Sequence, residues 1–315
     1  MNIYLTLIQS LTDESLHNYW YLIFKASIMK NEMKRLRPKQ SQRRPGLEQK
    51  MKPVPDTTPF SYSLQGKLKD KVVLITGGDS GIGKAVALLF AQEGAHICIA
   101  YLSETIDAKA TKKEVLSYKK GKCHLIKGDL SKEKQCEKNI DKTIKLYGKL
   151  DILINNAGLH WEANSLEEIT TEQLHRTFAN NFFSYFWTTK YALRYMKKNS
   201  CIINTASVTA YRGSAHLIDY SSTKGAIISF TRSLSANLCD KKIRVNAVAP
   251  GPIWTPLIAS SFNDKKNSEF GSDTPMKRAG MPNEVAPSYL FLACKDSQYI
   301  TGQVIHPNGG EIINT

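Results

Sequence analysis

The chain has 315 residues, 42% hydrophobic and 23% charged, which is enough to bury a full core and too apolar for wholesale disorder. Its net charge of +15 would suit nucleic acid or an anionic membrane, but the lysines are scattered over separate segments without interleaved aromatics. Solvated helix faces account for them, and no nucleic-acid partner is expected.

Residues 1–29 hold two apolar clusters, Ile3–Ile8 and Tyr19–Phe24, separated by Asp13, Glu14 and His17. Neither reaches the roughly 18 apolar residues of a membrane span, so no stable insertion is expected. No basic region precedes the first cluster, as a secretory signal requires. Two readings stand side by side: an amphipathic membrane-surface helix, or a true start nearer Met29, Met33 or Met51. Residues 30–65 are basic, then proline-rich (Pro38, Pro45, Pro53, Pro55, Pro59), and read as an extended, mostly non-regular arm. The division is therefore an extension over 1–65 and a single domain over 66–315.

From Lys71 the texture changes. Apolar runs at Val72–Thr76, Ile97–Tyr101, Cys123–Ile126, Ile152–Ile154, Cys201–Asn204, Ile243–Val248 and Val304–His306 predict strands buried on both faces. Between them, helices are predicted over Ala85–Gln92, Asp107–Tyr118, Lys132–Tyr147, Glu172–Lys197, Ser221–Leu238 and Glu284–Ala293. This alternation predicts an α/β, doubly wound Rossmann fold with a seven-stranded parallel sheet. Six cysteines without a C-x-x-C pair or a histidine at ligand spacing exclude a zinc site, and no metal is expected. Cys98, Cys123, Cys201 and Cys294 stand in or beside apolar runs, as reduced cysteines of a cytoplasmic protein do.

The first strand runs into Thr76-Gly77-Gly78-Asp79-Ser80-Gly81-Ile82-Gly83 and then a helix. Glycines there permit a tight turn and close approach to a pyrophosphate, which the helix N-terminus attracts; a plain turn is the competing reading. Gly128-Asp129-Leu130, Asn155-Asn156-Ala157-Gly158 and Pro250-Gly251-Pro252-Ile253 lie at the same sheet edge. Any one alone would pass for an ordinary turn. In Tyr220-Ser221-Ser222-Thr223-Lys224 the tyrosine and lysine share a helix face. A nearby ammonium would draw the phenol pKa from about 10 towards neutrality and fit it for proton transfer. Taken alone, such a pair occurs by chance. Ser207 follows the fifth strand and is placed to hydrogen-bond a substrate oxygen; it lacks the G-x-S-x-G elbow of a nucleophile.

With these residues assembled, the chain resembles the short-chain dehydrogenase/reductase family over residues 66–315. The resemblance implies an NAD(P)-dependent oxidoreductase acting on CH–OH donors or carbonyl acceptors. Tyr220 would be the acid/base, Lys224 would lower its pKa and hold the nicotinamide ribose, and Ser207 would orient the carbonyl. Asn181 would kink its helix and anchor a water relay. Gly77, Asp79, Ser80, Gly81, Ile82 and Gly83 would cradle the cofactor. Tyr101, Asp129 and Leu130 would flank its adenosine half, Asn156, Ala157 and Gly158 would line the cleft, and Pro250, Gly251, Ile253 and Thr255 would close over the nicotinamide.

Pro45-Gly46-Leu47-Glu48 and Pro53-Val54-Pro55-Asp56 further resemble a subgroup with an N-terminal arm. Its members are aldehyde reductases, general stress oxidoreductases and glucose/ribitol dehydrogenase-like proteins. This implies a homotetramer and an aldehyde reductase-like activity, with glucose or polyol oxidation, or a non-catalytic nucleotide sensor, as alternatives. Tyr101 stands where NAD-preferring members carry an acid, which tips the balance slightly to NADP(H) over NAD(H). Substrate choice is expected from His160–Trp161, Tyr211–Arg212 and the loop Trp254–Arg278. The two tryptophans read as an apolar or sugar-stacking wall or as plain packing, and Arg212, the one candidate clamp for an ionised substrate, reads rather as a surface arginine.

Overall fold

The computed structural model describes residues 35–61 and 65–313. The two apolar clusters of residues 1–29, and both readings of them, lie outside the described residues.

Seven parallel strands form one sheet in the order β3-β2-β1-β4-β5-β6-β7. They are β1 (Val72–Thr76), β2 (His96–Tyr101), β3 (Cys123–Lys127), β4 (Ile152–Asn155), β5 (Cys201–Thr205), β6 (Arg244–Val248) and β7 (Val304–Ile305). Side chains alternate across a strand, so the apolar runs feed two cores at once. Val73, Ile75, Ile97 and Ile99 pack against α1 (Gly81–Gln92). Leu74, Cys98, Ala100 and Ile202 pack on the other face. Chain order reverses direction between β1 and β4, and a crevice opens beyond the strand ends there.

The remaining crossovers are α2 (Thr105–Ser117) and α3 (Glu133–Tyr147), then α4 (Thr171–Phe178) and α5 (Ser184–Ala192). Beyond β5 come a short α6 (Thr209–Arg212) and the long α7 (Ile218–Leu238). After β6 come α8 (Pro256–Ser261), α9 (Asp264–Glu269) and α10 (Pro282–Ala293). The single helix predicted over Glu172–Lys197 is therefore broken. A π-helical turn, Ala179–Phe183, separates α4 from α5. Here Asn181 turns its amide towards a neighbouring loop, and hydrophobic periodicity carries no signal for such a widening.

Residues 35–61 hold one short 3₁₀ turn, Glu48–Lys50, and otherwise run without regular structure. They lie against the body: Met51 is 1% exposed and the Arg37 guanidinium stacks 4.2 Å from the Trp254 ring. Trp254 donates its indole N–H to the Pro53 carbonyl at 2.8 Å. Among the described residues no helix is long and apolar enough to cross a membrane. All six cysteines are free, and Cys136 joins the four expected ones in the interior, leaving Cys239 exposed.

Candidate active site

A cleft of about 410 Å³ opens over the strand ends at the β1/β4 switch point. Its floor is the glycine loop. Gly77 and Gly81 have φ of +63° and +52°, a conformation costly for residues with a Cβ. The Gly77 N–H donates to the Ala100 carbonyl at 2.8 Å. A Cβ on Gly81 would stand 3.1 Å from the Thr255 methyl, so the loop and the Pro250–Thr255 segment meet in close contact. Gly83 does not line the cleft. A Cβ there would run into the Gly77 carbonyl, so its part is to let α1 close onto the loop.

The Thr76 hydroxyl ties the next segment to this floor, accepting from the N–H groups of Asn156 at 2.8 Å and Ala157 at 3.1 Å. The Asn156 amide in turn donates to the carbonyls of Thr76 and Gly77 at 3.2 and 3.1 Å. Asp79, Ser80, Ile82, Tyr101, Asp129, Leu130, Gly158, Pro250, Gly251, Ile253 and Thr255 all line the same cleft. Burial, reinforced by the nearby negative charges of Glu104 and Asp107, pushes the Asp79 carboxyl up to about 7.

Ser207, Tyr220 and Lys224 converge on the other half of the cleft. Tyr220 lies in the first turn of α7, and the Lys224 ammonium stands 5.4 Å from its ring centre. Lys224 donates to the Thr205 carbonyl at 2.8 Å. The Ser207 hydroxyl oxygen accepts from the Thr209 N–H at 3.2 Å and the Thr209 hydroxyl at 3.1 Å, which turns its own hydrogen towards the Tyr220 oxygen, where a substrate oxygen could take it over. The expected lowering of the phenol pKa is reversed: burial pushes Tyr220 up to about 12, against a smaller pull from Ser207. Burial also brings Lys224 down to about 7. Desolvation opposes charge on either group.

Asn181 is fully buried behind this cluster and does not line the cleft. Its Oδ1 accepts from the Leu159 N–H and its Nδ2 donates to the Leu159 carbonyl, both at 2.8 Å, with Thr223 Oγ1 a further acceptor at 3.2 Å. Asn181 thus holds the strand-end segment that carries His160. That imidazole is 3% exposed, stacks edge-on to Tyr220 with ring centres 5.2 Å apart, and is kept neutral by burial, with its pKa at about 3. Among the described residues its Nδ1 has no hydrogen-bond partner.

The other expected substrate contacts divide. Arg212 reaches the cleft but is ion-paired to Glu311 at 2.7 Å, so it is not a free clamp. Neither Trp161 nor Trp254 lines the cleft: Trp161 carries Arg44 and Arg176 at 5.0 and 3.9 Å, and Trp254 is fully buried beneath the arm. Phe262 and Phe270 line the wall instead, together with Pro45 and Gly46 of the arm. The motif around Pro45 was visible in the sequence, but nothing in it pointed to the cleft. Among the described residues no three His, Cys, Asp or Glu side chains group as metal ligands.

A left-handed glycine loop at a helix N-terminus, facing a Ser–Tyr–Lys cluster, defines a dinucleotide-dependent oxidoreductase. A family model described as Enoyl-(Acyl carrier protein) reductase matches residues 77–311. The NADPH-dependent aldehyde reductase 1 of Arabidopsis thaliana is 51% identical over 276 residues, covering 86% of this chain and 96% of that protein. The glucose and ribitol dehydrogenase of Daucus carota is 46% identical over 282 residues, covering 88% and 97%. A short-chain dehydrogenase from Burkholderia cenocepacia, solved with NADP, superposes with a TM-score of 0.73 at 26% identity, covering 78% of this chain and 98% of that one. The chain belongs to the short-chain dehydrogenase/reductase family and is a nicotinamide-dependent oxidoreductase acting between carbonyl and alcohol.

Proposed function

We propose that the chain reduces aldehydes, with Tyr220 as proton donor and Ser207 and Lys224 as its partners. The observation that carries this is the neutral Tyr220 phenol beside a Ser207 hydroxyl whose oxygen is already occupied by Thr209. The residues fit a nicotinamide cofactor, because the left-handed glycines and the close Gly81–Thr255 approach leave a floor that side chains would fill. When bound, that cofactor supplies the hydride. Gly77–Ile82, Asn156–Gly158 and Pro250–Thr255 would hold it, with Tyr101, Asp129 and Leu130 at the adenosine end. Ser207 and Tyr220 hold the carbonyl oxygen, and Tyr220 gives it a proton as the alcohol forms. Asn181 acts from behind by fixing Leu159.

The name of the Arabidopsis relative and the lack of an acid at Tyr101 support NADP(H). Asp79 and Glu104 line the same end, so a 2′-phosphate there meets negative charge, which favours NAD(H) as the second reading. For the substrate, the second reading is a sugar or polyol, favoured by the neutral His160 imidazole beside Tyr220 and by the name of the carrot relative. A panel of aldehydes, ketones, sugars and polyols with each cofactor, followed at the nicotinamide absorbance, tests both. No turnover of any aldehyde would overturn the proposal.

An aromatic face of Phe182, Phe186 and Phe230 on the π turn, α5 and α7, with Phe186 45% exposed, supports a homotetramer. Five buried free cysteines support a reducing, cytoplasmic setting. Residues 1–65 form an extension and 66–315 the catalytic domain.

A further inference from the structure

We propose that Glu48, carried by the arm, is a positioning residue for the dinucleotide, holding the glycine loop in its phosphate-binding shape. This rests on the reading that the cleft takes a nicotinamide dinucleotide. Gly81 opens α1, and its N–H is one of the first-turn donors that no carbonyl within the helix can satisfy. Glu48 Oε2 accepts it at 2.7 Å, fixing the left-handed Gly81 on which the loop turns.

The second carboxylate oxygen is held by Lys84 at 2.9 Å, and Lys84 also meets Glu114 at 3.0 Å. The Glu48 charge is therefore balanced before a pyrophosphate approaches the same helix end. The Glu48 backbone is anchored as well, its N–H donating to Asp107 Oδ2 at 3.0 Å on α2. A residue only 4% exposed, with both carboxylate oxygens engaged and its backbone N–H anchored, is built in, not adventitious.

The arm then crosses to the opposite wall. Pro45 and Gly46 line the cleft, and a Cβ on Gly46 would sit 2.6 Å from the Pro256 carbonyl, at the start of α8. Gln42 donates its N–H to the Ala259 carbonyl at 2.9 Å, and Asn267 donates its amide to the Gln40 carbonyl at 2.7 Å. One segment thus clasps the phosphate loop and the α8–α9 wall together. A loop already in its bound shape loses less conformational freedom on binding, so the clasp acts on affinity more than on turnover.

The test is titration of full-length protein with NADH and NADPH, followed by nicotinamide fluorescence, alongside kcat at saturating cofactor. Glu48→Gln should raise Kd about tenfold and leave kcat within about threefold. Lys84→Met, which leaves the carboxylate unbalanced, should also raise Kd. The double variant should bind more tightly than Lys84→Met alone, a rescue that general destabilisation would not give. Kd within twofold of wild type in the single variants, or kcat falling as far as affinity, overturns the proposal. Should Glu48→Gln fail to fold, an unchanged Kd in Lys84→Met overturns it equally. Wild-type protein that binds neither cofactor overturns the cofactor reading itself, a result distinct from wild-type binding with unaffected variants.

Discussion

The Lys224 ammonium stands 5.4 Å from the Tyr220 ring centre, and one burial moves the two groups oppositely, the phenol up to about 12 and the ammonium down to about 7. At neutral pH Tyr220 is accordingly a neutral donor, suited to protonating a nascent alkoxide.

The direction of reaction should therefore depend on pH. Alcohol oxidation needs the phenolate, whose fraction grows about tenfold per pH unit below a pKa of about 12. Carbonyl reduction needs the protonated form, which is nearly complete across that range. Oxidation rates should climb from pH 7 to 9 while reduction rates stay nearly level. Initial rates in both directions check this, and a flat oxidation profile would refute it.

Tyr220→Phe removes the proton and leaves the ring. Turnover should fall by about 10²–10⁴-fold, with cofactor affinity close to wild type. Stopped assays paired with fluorescence titration separate the two effects. A Phe variant within tenfold of wild-type activity would sink the assignment.

Asn181→Leu should strip both backbone groups of Leu159 of their partners in a fully buried site. Each unsatisfied group costs about 1–3 kcal/mol, so denaturant unfolding should show a loss of several kcal/mol. Activity should drop too, because the same segment carries His160 against Tyr220. Unchanged stability would remove Asn181 from this role.

Phe186→Asp places a charge in the exposed aromatic face shared with Phe182 and Phe230. If that face buries against another copy, light scattering should show a shift from tetramer to smaller species. A monomeric wild type would overturn the assembly outright.

Much of the site was legible because its residues sit at strand ends, which apolar runs mark directly. Thr76–Gly83, Asn155–Gly158 and Ser207 follow β1, β4 and β5, and parallel pairing brings those ends to one edge. Tyr220 and Lys224 share a face of α7 at a spacing that occurs by chance, and stood out only beside Ser207 and the strand-end motifs. The break at Asn181 was legible only through the resemblance, which implied a kink there, since hydrophobic periodicity reads as one helix over Glu172–Lys197.

The sequence by itself determined the doubly wound sheet and the kinds of residue on its ligand-binding edge, since strand and helix periods and turn chemistry are local properties. Only the tertiary structure decided what surrounds them. Burial, a property of the assembled cleft, reversed the expected shift on Tyr220. Docking of the arm, through contacts more than 30 residues apart in the chain, carried Glu48 to Gly81 and Pro45 into the wall. Packing likewise took Trp161 and Trp254 out of the cleft and left His160 in it, because no local pattern encodes which neighbour a side chain will meet.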